Sequence, residues 1–385
     1  MTSSLFLQSD VCDPYLIYQS MLDKNPIYWD EENKIWAIYS YPFCVEILEN
    51  PNAFIPVINP NNKQKLNKYA LDILTNLTRL SNGIQHEVTR EIAMLLFTNM
   101  KAIAIAPITS QLLQNDTTED KIDWVDSVCK KLPVLVILKS FSFTENDCVF
   151  ILKKIEVLVQ IMLPDKTEDQ VKLINEVCEA IFSIVEKQLL SLDFTEPILS
   201  KISESHILSP DETRKIFASN LIGLFIQSYD AGRGILSNSL LQIMEHNNFP
   251  AKAAIEKSIV ETLRFDPPIH NTRRVANTAI RLGETIIKKG DKILVVLAAA
   301  NRDIDKFKEA SNFDTERFNN NDNLTFGIGG HNCLAKYFSI HLATEALCFL
   351  FKEHKTITLL ENNIKYEPLM NARLPKEIWI SISNK

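Results

Sequence analysis

The chain has 385 residues, 46% hydrophobic and 23% charged, a composition that buries a substantial core without metal or disulfide staples. Its 41 Lys and Arg against 48 Asp and Glu leave a net charge of -7, which lacks the basic footprint of a nucleic-acid binder. The seven cysteines, from Cys12 to Cys348, form no C-x-x-C pair and no framework spacing, and read as reduced thiols of a cytosol. Met1 to Asp10 shows no basic stretch leading into a long apolar one, so no signal peptide is expected. The apolar run Ile293 to Ala300 is under half of the roughly 20 residues that a membrane span needs. A soluble, cytoplasmic protein without membrane attachment is expected.

Short strands are expected within Ile27–Ser40, around a turn at Glu31-Glu32-Asn33. Helical periodicity then covers Gln85 to Ile105 and Glu168 to Leu192. The longest helix starts at Ser209-Pro210-Asp211-Glu212, where a Ser cap, a first-turn Pro and a Glu three residues on coincide. It runs to about His246, before Asn247-Asn248-Phe249-Pro250. Its middle holds Gly232 and Gly234, each costing about 1 kcal/mol relative to Ala in a helix interior. Either the helix breaks there into two, or it kinks or is grooved where something lies close to the backbone. Further strands are expected within Arg273–Leu282, Lys292–Leu297 and Ile378–Ile382, with a helix over Leu334 to His354 between the last two. The reading is one continuous domain over residues 1–385, mainly α with small β-sheets, an α+β architecture.

Only nine glycines occur, yet Gly327, Gly329 and Gly330 fall within four positions, in Phe326-Gly-Ile-Gly-Gly-His331-Asn-Cys333-Leu-Ala335. Glycines permit a tight loop with positive backbone angles and the close approach of a flat ligand. Cys333 follows directly and precedes a helix, whose dipole and free amides favour the thiolate, the metal-ligating form. The other six cysteines read as small buried hydrophobes.

This stretch resembles the haem-thiolate loop of the cytochrome P-450 family, F-x-x-G-x-H/R-x-C-x-G/A, and further landmarks follow in family order over almost the whole chain. Glu261-Thr-Leu-Arg264 resembles the E-x-x-R helix, where residues three apart share a face and pair. Phe313-Asp-Thr-Glu-Arg317-Phe318 resembles the segment whose Arg completes a Glu-Arg-Arg network fixing the cysteine loop. His86-Glu-Val-Thr-Arg90 resembles the H-x-x-x-R helix. With His331 and Arg274 these four supply donors for the two haem carboxylates, and Phe326 and Gly327 frame the cofactor. His270 is expected to line the pocket or pack; His206, His246, His341 and His354 carry no partner pattern. The N-terminal Asp13-Pro-Tyr15 and Asn25-Pro-Ile-Tyr-Trp29 also match the soluble, bacterial-type layout.

The resemblance implies haem b with Cys333 as axial ligand, and a monooxygenase that uses dioxygen and two electrons from a ferredoxin or flavodoxin. The pocket residues implied are Gln227, Tyr229, His270 and Asn271, with walls near Phe54–Thr78 and Met370–Ala372. The substrate expected is a medium-sized, largely apolar natural-product intermediate, free or carrier-protein-bound. One departure stands out in the catalytic segment Ser228-Tyr229-Asp230-Ala231: the acid is present as Asp230, but Ala231 replaces the family's Thr. A methyl group neither donates nor accepts a hydrogen bond. Three explanations stay open: a substrate hydroxyl or Ser228 holds the proton-delivering water, peroxide is used directly, or the reaction is a coupling, ring closure or dehydration. A non-catalytic haem-binding protein is a further alternative. Arg233 reads as a solvated residue, with a substrate carboxylate as its other candidate partner.

Overall fold

The computed structural model describes residues 3–56, 65–116, 121–246 and 251–384. The expected helix stop at Asn247 to Pro250, and residues 57–64 of the expected pocket loop, lie outside the described residues. In chain order, α1 (Pro14–Lys24) precedes β1 (Ile27–Asp30), β2 (Ile35–Ile38), α2 (Tyr41–Glu49) and β3 (Ala53–Phe54). Then come α3 (Lys68–Asn76), α4 (Gly83–Thr98), α5 (Ile105–Asp116) and β4 (Lys121–Asp123). Four helices follow, α6 (Leu132–Ser140), α7 (Glu145–Val159), α8 (Glu168–Leu190) and α9 (Thr195–His206), ahead of the long α10 (Pro210–His246). After α11 (Lys252–Phe265) lie β5 (Thr272–Ala276), β6 (Ile280–Leu282), β7 (Thr285–Ile287), β8 (Lys292–Val295) and the single turn α12 (Leu297–Ala300). The last elements are α13 (Lys336–Glu353), β9 (His354–Leu359) and β10 (Trp379–Asn384).

Contacts divide the chain into two compact units. The first comprises Met1–Phe54, Ile105–Lys130 and Ala231–Lys385; the second comprises Ile55–Ala104 and Lys131–Asp230. The first unit holds all the strands found among the described residues. Its five-stranded sheet has the order β1-β2-β8-β5-β3, with β2 and β8 parallel and the other pairs antiparallel. Cross-strand partners Trp29 and Trp36, then Trp36 and Ile293, set its register. One sheet face packs Ile38, Ile293 and Val295 against Ile47 and Leu48 of α2, and Leu324 joins this core with Ile328 beside it. The other face packs Ala37 and Leu294 against Tyr18 of α1. In the second unit α8 packs on α7 and α3, and its start carries a reciprocal box in which Thr167 and Gln170 bond each other's backbone amides.

The start expected for the longest helix is present: Ser209 Oγ accepts from Glu212 N at 3.2 Å while Glu212 Oε2 accepts from Ser209 N at 3.0 Å. The alternative of two helices broken near Gly232 is corrected, since α10 runs unbroken for 37 residues. Residues 216–226 are all buried, so burial on every side sustains the helix and outweighs the weak propensity of its glycines. A Cβ at Gly234 would stand 2.3 Å from Pro268 Cβ and 2.6 Å from Leu374 Cδ2. Close approach of other segments, not a break, accounts for that glycine.

Candidate functional site

The Cys333 loop is rooted in the first unit's core. Leu324 is fully buried, and its carbonyl accepts from Gly327 N at 2.8 Å. Gly327 and Gly329 take φ of +64° and +71°, which L side chains rarely adopt. A Cβ at Gly329 would meet Leu48 O at 2.9 Å, so the loop lies directly against the C-terminal end of α2. After the turn Gly329–His331, Cys333 N donates to Phe326 O at 2.8 Å, closing the loop on itself. Cys333 stands two residues ahead of Ala335, the N-cap of α13.

Accessibility separates this thiol from most others. Cys44, Cys129, Cys148 and Cys178 are buried, and burial pushes their thiols up, Cys148 to about 11. Cys333 is exposed. The expectation that all six others are buried is corrected at Cys12, which is exposed, and at Cys348, which is half-buried.

The Glu-Arg-Arg set is present as geometry. Glu261 and Arg264 are fully buried and paired through two bonds, Nε to Oε2 at 2.9 Å and Nη2 to Oε1 at 2.6 Å. Arg317 Nε lies 3.8 Å from Glu261 Oε1. A buried bidentate pair of this kind is retained only when its remaining donors are satisfied. For Arg264 they are, on carbonyls: its Nη1 donates to Asn301 O at 3.0 Å and Ala310 O at 2.8 Å, and its Nη2 to Asn312 O at 3.0 Å. Arg317 Nη2 also donates to Asn312 O, at 3.1 Å, while its Nε makes no hydrogen bond among the described residues. These bonds end on Asn301 and on residues 308–314. The bonds to the root of the cysteine loop come from the Asn301 side chain, whose Oδ1 accepts from Leu324 N at 2.7 Å.

Of the expected carboxylate-binding residues, Arg274 gives the sharpest test. Alternation along β5 turns Arg273 outward and Arg274 inward, where it is 4% exposed. Its Nη1 donates to Thr272 Oγ1 at 3.1 Å and to the Arg273 carbonyl at 2.8 Å, and no carboxylate among the described residues pairs with it. Burial lowers its pKa to about 10, so it stays charged at neutral pH. A buried cation without an anion fits a ligand that brings carboxylates, as haem b does. His331 is half-buried in the loop itself. In the second unit, His86 and Arg90 lie one turn apart on α4. His86 Nδ1 is 3.1 Å from Thr78 O, which can only accept, so the ring's Nδ1 carries the proton.

On α10, Gln227, Ser228, Asp230 and Ala231 are half-buried. Ser228 Oγ donates to Phe225 O at 3.1 Å, so its proton is used inside the helix and its oxygen remains only an acceptor. Gln227 Nε2 likewise donates to Gly223 O at 3.0 Å. Tyr229 is buried, and its hydroxyl donates to Glu156 at 2.8 Å. Asn271 Nδ2 donates to Met370 O at 2.8 Å. His270 packs: it is fully buried between Tyr15 and Tyr18, with Nδ1 2.9 Å from the Tyr18 hydroxyl. Burial, with Arg373 and Arg302 nearby, holds its pKa well below the usual imidazole value, so it is neutral. The solvated reading of Arg233 is corrected: it is 5% exposed and pairs with Glu367 at 3.4 Å. His206, given no partner from sequence, pairs with Glu91 at 2.9 Å, and His246 stacks on Phe313.

Sequence reading missed Asn301 and Thr325. The only cue was Asn301-Arg302-Asp303 directly after the apolar run that ends at Ala300.

The family described as Cytochrome P450 matches residues 251–367, which span α11 through the cysteine loop to the strand after α13. The chain is 28% identical over 336 residues to Cytochrome P450 119 of Sulfurisphaera tokodaii, covering 82% of this chain and 86% of that protein. It is 24% identical to the biotin biosynthesis cytochrome P450 of Bacillus subtilis, covering 98% of both. Among solved structures it is similar to CalO2, with a TM-score of 0.86 at 16% identity over 99% of each chain. It is also similar to P450BioI in complex with a hexadec-9Z-enoic acid ligated acyl carrier protein, with a TM-score of 0.82 at 21% identity over 96% of this chain and 98% of that one. No helix among the described residues is long and apolar enough to cross a membrane.

Proposed function

Because this chain belongs to the cytochrome P450 family, whose members bind haem b through a cysteine thiolate and act as monooxygenases, we propose that Cys333 is that cysteine and that the substrate is an apolar small molecule. The observation that carries the assignment is the closed glycine loop that presents an exposed thiol just ahead of a helix. Haem b held by a thiolate supplies redox iron and the electron donation that favours O–O cleavage. The protein's part is to hold and to gate. Arg274 and His331 take cofactor carboxylates, and by family position so do His86 and Arg90. Phe326 and Gly327 frame the loop, while Glu261, Arg264 and Arg317 hold the segment beside it. On this reading all 385 residues form one domain.

Proton delivery is assigned to Asp230, with a water held by the substrate in place of the missing hydroxyl. Ser228 serves only as an acceptor for that water, because its own proton is committed to Phe225 O. That commitment, together with Ala231, favours a second reading in which peroxide replaces dioxygen and reductant. Electrons in the first reading come from a ferredoxin or flavodoxin. Gln227 Nε2, the Tyr229 hydroxyl, His270 Nδ1 and Asn271 Nδ2 are committed within the protein, so a pocket role falls to the rest of these side chains. The similar structure carrying an acyl-carrier complex makes carrier-bound acyl chains the first substrates to try, and the setting proposed is the cytoplasm.

The test is the absorption spectrum of the reduced carbon monoxide complex. Wild type is expected to show the thiolate-type band and Cys333→Ser to lose it while remaining folded; an unchanged band in the variant sinks the assignment. Titrating wild type with free and carrier-bound acyl chains, then comparing turnover driven by ferredoxin with that driven by peroxide, separates the two readings.

A further inference from the structure

We propose that Asn301 is a positioning residue for the cysteine ligand, tying the loop's root to the buried Glu261–Arg264 pair; this rests on Cys333 being the haem ligand. Asn301 is fully buried, and every polar group of its side chain is used. Oδ1 accepts from Leu324 N at 2.7 Å, and Nδ2 donates to Thr325 Oγ1 at 2.9 Å and to Leu263 O at 3.3 Å. Thr325 Oγ1 in turn donates to the same Leu263 carbonyl. The backbone carbonyl of Asn301 accepts from Arg264 Nη1 at 3.0 Å.

One residue therefore touches three parts at once: its side-chain amide meets the end of α11 and the two residues that open the loop, and its backbone carbonyl meets the guanidinium of the buried pair. From Leu324 the connection is short. Leu324 O accepts from Gly327 N, and Phe326, the neighbour of Gly327, accepts from Cys333 N, both at 2.8 Å. The side-chain bonds of Glu261, Arg264 and Arg317 end instead on residues 301 and 308–314. The carboxylate pair is the anchor, and Asn301 is the hand that reaches the loop. A planar amide suits this place because it offers an acceptor and two donors in fixed directions without bringing a charge into a fully buried site.

The experiment compares haem-loaded wild type with Asn301→Ala, Thr325→Val, Thr325→Ser and Cys333→Ser. Three quantities are read: haem transfer to apomyoglobin, the thiolate-type band of the reduced carbon monoxide complex, and thermal unfolding. Partners that orient a metal ligand change metal retention by about 10- to 100-fold when removed. Asn301→Ala is expected to lose haem at least about tenfold faster and to lose part of the thiolate band, at temperatures well below its unfolding midpoint. Thr325→Val should shift both in the same direction by less, and Thr325→Ser, which keeps the hydroxyl, should restore them. If Asn301→Ala does not fold, the two Thr325 variants decide the matter. Wild-type haem loss and band in Asn301→Ala and Thr325→Val, with only the unfolding midpoint lowered, overturn the proposal. A thiolate band that persists in Cys333→Ser overturns the ligand assignment instead, whatever the other variants do.

Discussion

At the scale of single residues, the proposed proton delivery turns on Ala231 and Ser228. Neither offers a hydroxyl proton, the first for want of a hydroxyl and the second because Phe225 O already takes it. With no substrate bound to hold the water, supplying a hydroxyl through Ala231→Thr is therefore expected to lower the share of electrons lost as peroxide severalfold, if dioxygen is the oxidant. Peroxide yield against NADPH consumed, with a surrogate ferredoxin and no substrate, measures it. An unchanged share would point to direct peroxide use. Other residue-scale readings turned on burial. Arg233 read as a surface residue, yet it is buried against Glu367. No local pattern carries that information.

At the scale of elements, the glycines of α10 separate propensity from packing. A Gly→Ala change in a helix interior is worth about 1 kcal/mol in favour of Ala. At Gly234 the new methyl would collide with the rigid ring of Pro268 at 2.3 Å and with Leu374 at 2.6 Å. Overpacking of that kind costs about 1–3 kcal/mol, so Gly234→Ala should destabilise by up to about 2 kcal/mol net. At Gly223 the first atom met is a Leu77 methyl at 2.5 Å, the end of a flexible side chain that can shift. Gly223→Ala is expected to be close to neutral. Urea denaturation of the two variants tests the contrast, and equal midpoints would refute it. The start of α10 was legible because its capping box, Ser209 with Glu212, is local. Continuity through Gly232 was not, because burial on all sides of residues 216–226 erases the one-sided periodicity that marks a helix.

At the scale of the whole molecule, the proposed role of Arg274 sets stability against cofactor holding. Its pKa of about 10, below the ordinary arginine value, means that the folded state holds this proton less tightly than the unfolded chain does. Its charge therefore works against folding at neutral pH, and the opposition fades as pH rises through about 10. Arg274→Met should raise the stability of the cofactor-free protein by about 1–3 kcal/mol, because an apolar side chain replaces a buried charge that lacks an anion. The same change should weaken haem retention by about tenfold, the worth of one charge-assisted bond. The thermal unfolding midpoint without haem should rise while haem retention, read as slow transfer to apomyoglobin, should fall. A fall in both would show Arg274 to be an ordinary structural residue.

What the amino-acid order alone determined is what depends on neighbours in sequence. The glycine loop around Cys333, the Glu261–Arg264 pair three residues apart, the strand alternation that turns Arg274 inward and the helix starts all follow from short-range geometry. Tertiary structure alone decided that Asn301 reaches Leu324 across 23 residues and that Tyr229 is spent on Glu156 across 73. It also decided that His270 is sealed between two tyrosines. A buried polar group must find a partner, but sequence does not say which of many distant carbonyls, amides or carboxylates packing will bring within 3 Å.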